Sequence, residues 1–283
     1  MKQGNDGGSP VRGSGRGGPV FSDLGIVLRS HKLGESDKIL RILTREHGKR
    51  SAVAKGLRKT TSRFGARLEP FTCVGLLMHK GRSMDIIKQA EIKTSFREVR
   101  EDLELFMRAS AMDELVDTIT EEHEPSPELF DLLRKGLELL KDFPDRATFI
   151  LAFFEFRALA VAGFQLMITA CAGCGRSTGP GEVSFSLEQG GFVCDACRGD
   201  ARGDSGKIIR VSERTARLLA WMSAHGLGEW PDDVEEGRVE GELVSLMDRV
   251  LEHWMEREFR SRRVMKVIPG GSGGDSEGGN RDG

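Results

Sequence analysis

The segment Asp37-Lys38-Ile39-Leu40-Arg41-Ile42-Leu43-Thr44 alternates apolar and polar residues, which is the pattern of a β-strand with one buried face. Short apolar runs lie on both sides of it, and turns that contain glycine separate several of them. These runs predict four further strands: Gly25–Leu28, Gly48–Gly56, Phe71–Met78 and Met84–Phe96. Five short strands within residues 21–96 predict a small closed or nearly closed β-barrel.

After Phe96 the apolar residues recur at every third or fourth position, which is the period of an amphipathic helix. Pro125 and Pro127 interrupt this pattern, and one later run, Phe149–Phe164, is apolar on most sides and predicts a central helix. The pattern predicts five helices in all: 99–119, 129–140, 149–164, 212–225 and 241–260. The fold class is therefore α+β, with a helical bundle after the barrel.

Two CxxC pairs interrupt the helical region, Cys171-Ala-Gly-Cys174 and, after 19 further residues, Cys194-Asp-Ala-Cys197. Each CxxC turn can place two sulfurs on one ion, and two such turns complete a tetrahedral site. Gly175 suits a tight turn after the first pair, because glycine readily adopts positive φ. The alternating residues 183–187, the turn 189–191 and residues 192–193 predict a hairpin between the pairs. We expect one structural Zn²⁺ held by four cysteines, Cys171, Cys174, Cys194 and Cys197.

Two other readings of these cysteines remain open: a pair of structural disulfides, or a redox-active CxxC. No run approaches the ~18 apolar residues of a membrane span, and the N-terminus lacks the apolar centre of a secretory signal. These features favour a reducing, cytoplasmic compartment without membrane association, which makes disulfides less favoured. The fifth cysteine, Cys73, lies in an apolar run and is expected to be a buried small hydrophobic residue.

Both ends of the chain are rich in glycine and lack apolar periodicity, so we expect them to be disordered. The first tail contains a formal GxGxxG match at Gly13–Gly18, but it follows no strand and opens no helix, so it does not indicate dinucleotide binding. The expected organisation is a tail (1–20), a barrel (21–96), the first part of a helical domain (97–170), a zinc module (171–200), the last part of the helical domain (201–268) and a second tail (269–283).

The charge is spread unevenly along a chain whose net charge is only −2. From Arg29 to Arg67 there are twelve basic residues and three acidic ones, and part of the run is a polar loop, Leu57–Arg67. A basic surface on the strands of a small barrel is typical of folds that bind oligonucleotides. Eleven of these residues are predicted to contact DNA: Arg29, Lys32, Lys38, Arg41, Lys49, Arg50, Lys55, Arg58, Lys59, Arg63 and Arg67.

Aromatic residues for base stacking are scarce in this region. The chain has no tyrosine, its three tryptophans lie beyond the cysteines, and the barrel region has only Phe21, Phe64, Phe71 and Phe96. Proteins that bind single strands normally stack bases on aromatic rings. We therefore expect binding through phosphates, with little sequence preference and a strong dependence on salt.

Three stretches near the start of the barrel are characteristic: Gly25–Asp37, which is the most specific, Leu43–Lys49 and Ala54–Lys59. They resemble the bacterial RecO family of recombination mediators. The stretch Arg58–Phe71 matches the same family, as do the Phe164-Gln165-Leu166 segment before the cysteines and the last helix, ending near Arg260-Ser261-Arg262. The resemblance covers roughly residues 21–267 and leaves the glycine-rich tails outside it.

This resemblance implies an OB-fold-like barrel, a helical domain and a zinc module. It implies a DNA repair protein of the RecF pathway that binds single- and double-stranded DNA, anneals complementary strands and assists RecA loading. The implied partners are RecR and the tail of single-stranded DNA-binding protein, with RecA engaged indirectly. RecO-like proteins are not enzymes, and a cytoplasmic, nucleoid-associated location follows from this role.

Two other classes of function remain as alternatives. The first is a DNA-processing enzyme that contains a zinc ribbon, although the six histidines are scattered and form no HExxH or local triad pattern. The second is a redox-switched zinc chaperone, which would have no need of the basic loop. Cleavage of DNA would indicate the former, and reactive zinc thiolates would indicate the latter.

Overall fold

A computed structural model of the chain describes residues 19–56, 64–178, 183–200, 207–231, 238–255 and Ser261. The glycine-rich tails, apart from residues 19 and 20, and most of the polar loop, residues 57–63, lie outside these ranges. Among the helices that are described, none combines the length and the apolar composition that a membrane span requires.

The N-terminal part is a closed five-stranded barrel, as the alternating pattern predicts. Its strands are β1 Val20–Leu33, β2 Asp37–Thr44, β3 Gly48–Ala54, β4 Cys73–His79 and β5 Asp85–Thr94. They run in the order β1-β2-β3-β5-β4 around the barrel, and only β3 and β5 pair in parallel. Apolar side chains from these strands fill the interior, including Val27, Leu40, Ile42, Val74 and Ile87.

A helical domain packs directly against the barrel. The predicted first helix is divided into α1 (Arg97–Glu101) and α2 (Leu103–Ile119), because Asp102 leaves the helical conformation and caps α2, accepting from the Leu105 N–H at 2.9 Å. Residues from both parts, including Leu28, Phe71 and Phe96, share one hydrophobic core with the helices. The barrel is thus docked onto the bundle through an extensive apolar contact.

The remaining helices agree closely with the periodicity of the sequence. Helix α4 is buried on nearly every side, as its uniformly apolar composition predicts. Ser212 caps α6 by accepting from the Thr215 N–H at 3.3 Å. The bounds are α3 Pro127–Asp142, α4 Ala147–Val161, α6 Glu213–Ala224 and α7 Arg238–Met255.

A small three-stranded sheet is inserted between α4 and α6. It contains the predicted hairpin, β6 (Val183–Ser186) and β7 (Gly191–Val193), which leads into the short helix α5 (Asp195–Asp200). A third strand, β8 (Ile208–Val211), pairs with the other side of β6 and was not predicted from the sequence. Trp254 of α7 donates its Nε1–H to the Leu187 carbonyl at 2.9 Å, so the last helix anchors this sheet to the bundle.

Candidate metal centre and nucleic-acid interface

The two CxxC turns face each other at one end of the inserted sheet. The Ala172 N–H donates to the Phe192 carbonyl at 2.7 Å, which ties the first turn to β7. The second turn follows β7 directly and continues into α5, where the Arg198 N–H donates to the Cys194 carbonyl at 2.8 Å. Gly175 has φ +73°, as the tight turn after the first pair requires.

The four predicted metal-ligand sulfurs are brought together. Their Sγ atoms all lie within 4.8 Å of one another, and Cys174 and Cys194 are 3.8 Å apart. A tetrahedral zinc site with Zn–S bonds of about 2.3 Å has sulfurs separated by about 3.8 Å. All five cysteines of the chain are free thiols, which favours a metal site over the two-disulfide reading. The arrangement therefore fits a tetrahedral ion with four thiolate ligands.

The pKa values of two of the sulfurs are shifted by hydrogen bonds from the other cysteines. The Cys194 N–H donates to Cys171 Sγ at 3.3 Å, and this hydrogen bond is the main cause that lowers the pKa of Cys171 to about 6. Hydrogen bonds to the sulfurs of the other three cysteines raise the pKa of Cys197 to about 12. Four sulfurs this close cannot all be thiolates unless a cation neutralises them, and a divalent ion does so.

The basic residues of the barrel fall into two groups, and the first lies against the helical domain. Asp117 of α2 is the centre of this group: it pairs with Arg29 at 2.7 Å, Arg41 at 3.0 Å and Lys49 at 3.3 Å. The side chain of Lys49 is 5% exposed, and burial lowers its pKa although Asp117 opposes that shift. These cations are engaged in holding the barrel to α2.

Arg50 is also enclosed at this junction. Its guanidinium pairs with Asp85 at 2.6 Å, contacts His123 Nδ1 and lies 5.4 Å from the centre of the Phe21 ring. The side chains of Arg50 and Asp85 are 6% and 3% exposed. Lys49 and Arg50 are therefore internal ion-pair residues, and neither presents its charge to solvent where a phosphate could reach it.

The second group of cations lies near the turn between β1 and β2 and near the last residues of β3. In the strand register, Lys32 of β1 lies opposite Lys38 of β2. Lys38 lies opposite Ala54 of β3, the residue before Lys55. Arg67 is exposed just after the loop that follows β3. Lys38 is partly covered and lies 3.8 Å from Glu69, whereas Lys32 and Lys55 are exposed. We call Lys32, Lys38, Lys55 and Arg67, together with Lys88, the basic end of the barrel.

Lys88 belongs to this surface although sequence reasoning missed it. Val53 of β3 lies opposite Ile86 of β5 in a parallel pair, so Lys55 and Lys88 are each two residues further towards the same end. Lys88 is exposed. Lys88 is a polar position on a predicted strand, so the sequence did contain a signal for it. It was missed because basic residues were counted only from Arg29 to Arg67. Arg58, Lys59 and Arg63 fall outside the described residues.

The described part of the barrel offers no exposed aromatic ring. Phe64, Phe71 and Phe96 are at most 2% exposed. Phe21 is partly buried, with its ring centroid 4.5 Å from that of His47. The loop residues 57–63 contain no aromatic residue in their sequence. A strand of nucleic acid at the basic end would therefore be held through its phosphates, with no stacking surface.

Comparison with known proteins assigns both halves of the chain to one family. The family model "Recombination protein O N terminal" matches residues 20–96, and "Recombination protein O C terminal" matches residues 100–263. A protein of Nocardioides is 42% identical over 86% of this chain and 97% of its own length. A protein of Rubrobacter xylanophilus is 40% identical over 74% of this chain and 87% of its own, and one of Frankia casuarinae is 38% identical over 86% and 97%. All three are named "DNA repair protein RecO".

Proposed function

Because the chain belongs to the RecO family of DNA repair proteins, we propose that it is a non-enzymatic recombination mediator of the RecF pathway. It binds single- and double-stranded DNA largely without sequence preference, anneals complementary strands and assists RecA loading onto coated DNA in the cytoplasm. Its partners are RecR and the tail of single-stranded DNA-binding protein. The observation that supports the DNA-binding part is the basic end of the barrel, where Lys32, Lys55, Arg67 and Lys88 are exposed.

Only some of the cations in the basic run Arg29–Arg67 are proposed to contact DNA. Lys32, Lys55 and Lys88 are exposed and lie at one end of the barrel, and Arg58 and Lys59 follow β3 in the chain close to Lys55. Arg41 and Lys49 are paired with Asp117, and Arg50 is paired with Asp85. If these cations turned to bind a phosphate instead, the buried carboxylates would lose their counter-charges. Arg29 keeps a 53% exposed side chain, so it can pair with Asp117 and still approach a strand that crosses β1.

We propose that the four cysteines hold one Zn²⁺ whose role is structural. A closed site of four thiolates leaves no open position for a substrate, which is the usual arrangement where zinc only stabilises a fold. The ion would neutralise the charge of the thiolates and cross-link the two CxxC turns. The chain's own residues tie the module to the bundle, through Trp254 on the Leu187 carbonyl.

Salt-dependent binding tests the DNA contacts directly. Affinity of the full chain for an unstructured single strand is measured by fluorescence anisotropy between about 50 and about 200 mM salt, where phosphate-dominated binding falls steeply. Substituting Lys32→Gln, Lys55→Gln and Lys88→Gln removes three cations. We expect the slope of log K against log salt to become shallower by about 2, since each phosphate contact on a single strand contributes about 0.7.

A matched triple variant in the helical domain is the control. Lys135→Gln, Lys141→Gln and Arg217→Gln remove the same charge from exposed positions on α3 and α6, and the slope should keep its parental value. Charge reversal by Arg58→Glu with Lys59→Glu should weaken binding to all sequences alike. An equal loss of slope in both triple variants, or a preference of several orders of magnitude for one sequence, would be evidence against a phosphate-binding surface at this end.

A further inference from the structure

A cleft between the barrel and the helical domain has the character of a peptide-binding site. Its volume is about 420 Å³, and it lies between β1 and α2. One wall is apolar, formed by Leu28, Pro70 and Phe71, with the partly exposed ring of Phe106 packed 5.3 Å from Phe71. The other wall is one face of α2 and carries three carboxylates at 113, 114 and 117.

Asp113 is the unusual member of this acidic wall. The residue is 4% exposed, and neither carboxylate oxygen has a hydrogen-bond partner among the residues that the structure describes. Burial raises the pKa of Asp113 well above its ordinary value, and the negative charge of Asp117 raises it further. Asp117, one turn along the same helix, is neutralised by three cations of the barrel. A buried acid without such a partner is costly, and a cation in the cleft would relieve that cost.

Ser261, near the C-terminal end of the described residues, contacts this acidic wall. Ser261 donates both its N–H and its Oγ–H to Glu114 Oε2, each at 2.8 Å, and Glu114 is the next residue after Asp113. The residues that follow in the sequence are Arg262-Arg263-Val264-Met265-Lys266-Val267-Ile268. They provide three cations and four apolar side chains, which complement an acidic wall facing an apolar one.

We propose that the segment Arg262–Ile268 of this chain occupies the cleft between β1 and α2, with an arginine paired to Asp113 and the apolar side chains against Phe71 and Phe106. The segment thereby acts as a strap that fastens the barrel to the helical domain. The occupant is the chain itself, since Ser261 is bound to Glu114 and Arg262 is the next residue in the sequence.

The dimensions agree with this arrangement. The part of α2 that lines the cleft extends from Phe106 to Thr118, which is about 18 Å of helix at 1.5 Å per residue. Seven extended residues after Ser261 reach at most about 25 Å. A segment tethered at one end also binds as an intramolecular ligand at high effective concentration, so it requires only modest contacts to remain in place.

Photo-crosslinking in the full chain locates the segment. A benzophenone amino acid is placed at Val264 and, as a matched control, at Gly278 beyond the segment. Peptide mapping should place the Val264 crosslinks on residues 24–33 or 103–119 of the same chain, with at least a fivefold excess over the control. Crosslinks to another copy of the chain, to a different surface, or in equal yield from both positions would overturn the proposal.

A double-mutant cycle tests the pairing itself. Asp113→Asn, the triple variant Arg262→Gln with Arg263→Gln and Lys266→Gln, and their combination are compared by thermal unfolding of the full chain. Each change alone should lower Tm by roughly 3 °C or more, and the combination should lower it no more than the larger of the two. Glu121→Gln, at an exposed acid beyond the end of α2, should combine additively with the triple variant. Additive shifts for Asp113 as well would contradict a shared contact.

Discussion

Asp113 and Asp117 are separated by one turn of α2 and have opposite electrostatic environments. Burial alone would raise the pKa of Asp117, but the hydrogen bond from Arg41 and the charges of Lys49 and Arg29 outweigh it and lower that pKa. The pKa of Asp113 is raised instead, because the residue is buried and the negative charge of Asp117 acts on it. A single carboxylate, Asp117, therefore organises three of the barrel's cations at the junction between the two domains.

Substituting Asp117→Asn should destabilise the fold by about 3 kcal/mol, because it leaves Lys49 buried without its counter-charge. The free energy of unfolding measured with urea is the readout. The lowered pKa means that this stabilisation is present above the ordinary pKa of 3.8 and is lost as the pH falls below it. The difference between parent and variant should accordingly shrink in acid.

The exposed pair Arg97–Glu101 provides the control for that measurement. Both side chains are more than half exposed, at 72% and 63%, so Glu101→Gln should change stability little at any pH. If Asp117→Asn proved as harmless as Glu101→Gln, the ion pairs at the junction would not contribute to holding the barrel in place.

The cysteines allow a second single-residue prediction. Purified parent protein should contain about one zinc per chain by elemental mass spectrometry. Cys174→Ser should reduce that content to a small fraction and lower the soluble yield, because the site loses one of its four thiolates. Cys73→Ala is the matched control: Cys73 is buried in β4, where burial raises its pKa to about 11, and it should leave the zinc content unchanged. Retention of a full equivalent by Cys174→Ser would refute the four-cysteine site.

Among the secondary-structure elements, those with clear periodicity were predicted and the irregular ones were not. Strands β2 to β5 and the long helices α3, α4, α6 and α7 lie close to their predicted positions, since burial imposes a period of two or 3.6 on such segments. Strand β1 extends beyond the predicted Gly25–Leu28 at both ends, from Val20 to Leu33. The short strands β6 and β7 were recognised from the turn that joins them, whereas β8 was missed because it pairs with β6 from further along the chain. The break between α1 and α2 was also missed, because it depends on the extended backbone of Asp102 and on its side-chain cap of α2.

The hairpin turn between β6 and β7 depends on close packing against α7. Gly190 has φ +63°, and a Cβ at this position would lie 2.4 Å from Cζ2 of Trp254. Gly190→Ala should therefore displace Trp254 and break its hydrogen bond to the Leu187 carbonyl. Because backbone strain and overpacking add, the free energy of unfolding should fall by roughly 2–4 kcal/mol. Tryptophan fluorescence during denaturation is a suitable readout.

Gly163→Ala separates the two contributions. Gly163 has φ +90°, but nothing lies within 4 Å of its Cβ position, so this variant incurs only the backbone cost of roughly 1–2 kcal/mol. We expect Gly190→Ala to be the more damaging variant and the only one that alters Trp254 fluorescence in the folded state. Equal effects would indicate that the sheet is not clamped by α7.

The two candidate sites differ in how far the sequence could define them. The cluster of four cysteines was predicted to the residue, because CxxC spacing is a local property and the fold only has to bring the two pairs together. For the basic run Arg29–Arg67, the sequence could not show which cations face solvent and which are paired with acids. Whether Lys49 or Lys55 faces solvent depends on which end of the barrel meets α2, and that is decided by tertiary docking. Lys88 joins the surface only through the parallel pairing of β3 with β5.

The exposed cations of the basic end belong to the barrel, whereas the helical domain is a separate part of the chain. A strand held at the basic end and a coating protein held by the helical domain would be two weak contacts linked in one chain, and linkage raises their effective concentration. This combination is what a mediator needs to act on DNA that another protein already covers. A nuclease or a redox chaperone would not require both contacts.

Annealing of complementary strands coated by single-stranded DNA-binding protein is the decisive assay for the mediator function. The full chain should anneal the coated strands without nucleotide and without cleavage, and annealing should fall sharply when the acidic tail of the coating protein is removed. Lys32→Gln with Lys55→Gln and Lys88→Gln should impair annealing yet leave binding to the isolated tail peptide intact. Annealing that is indifferent to tail removal, or DNA that emerges cut, would contradict the assignment.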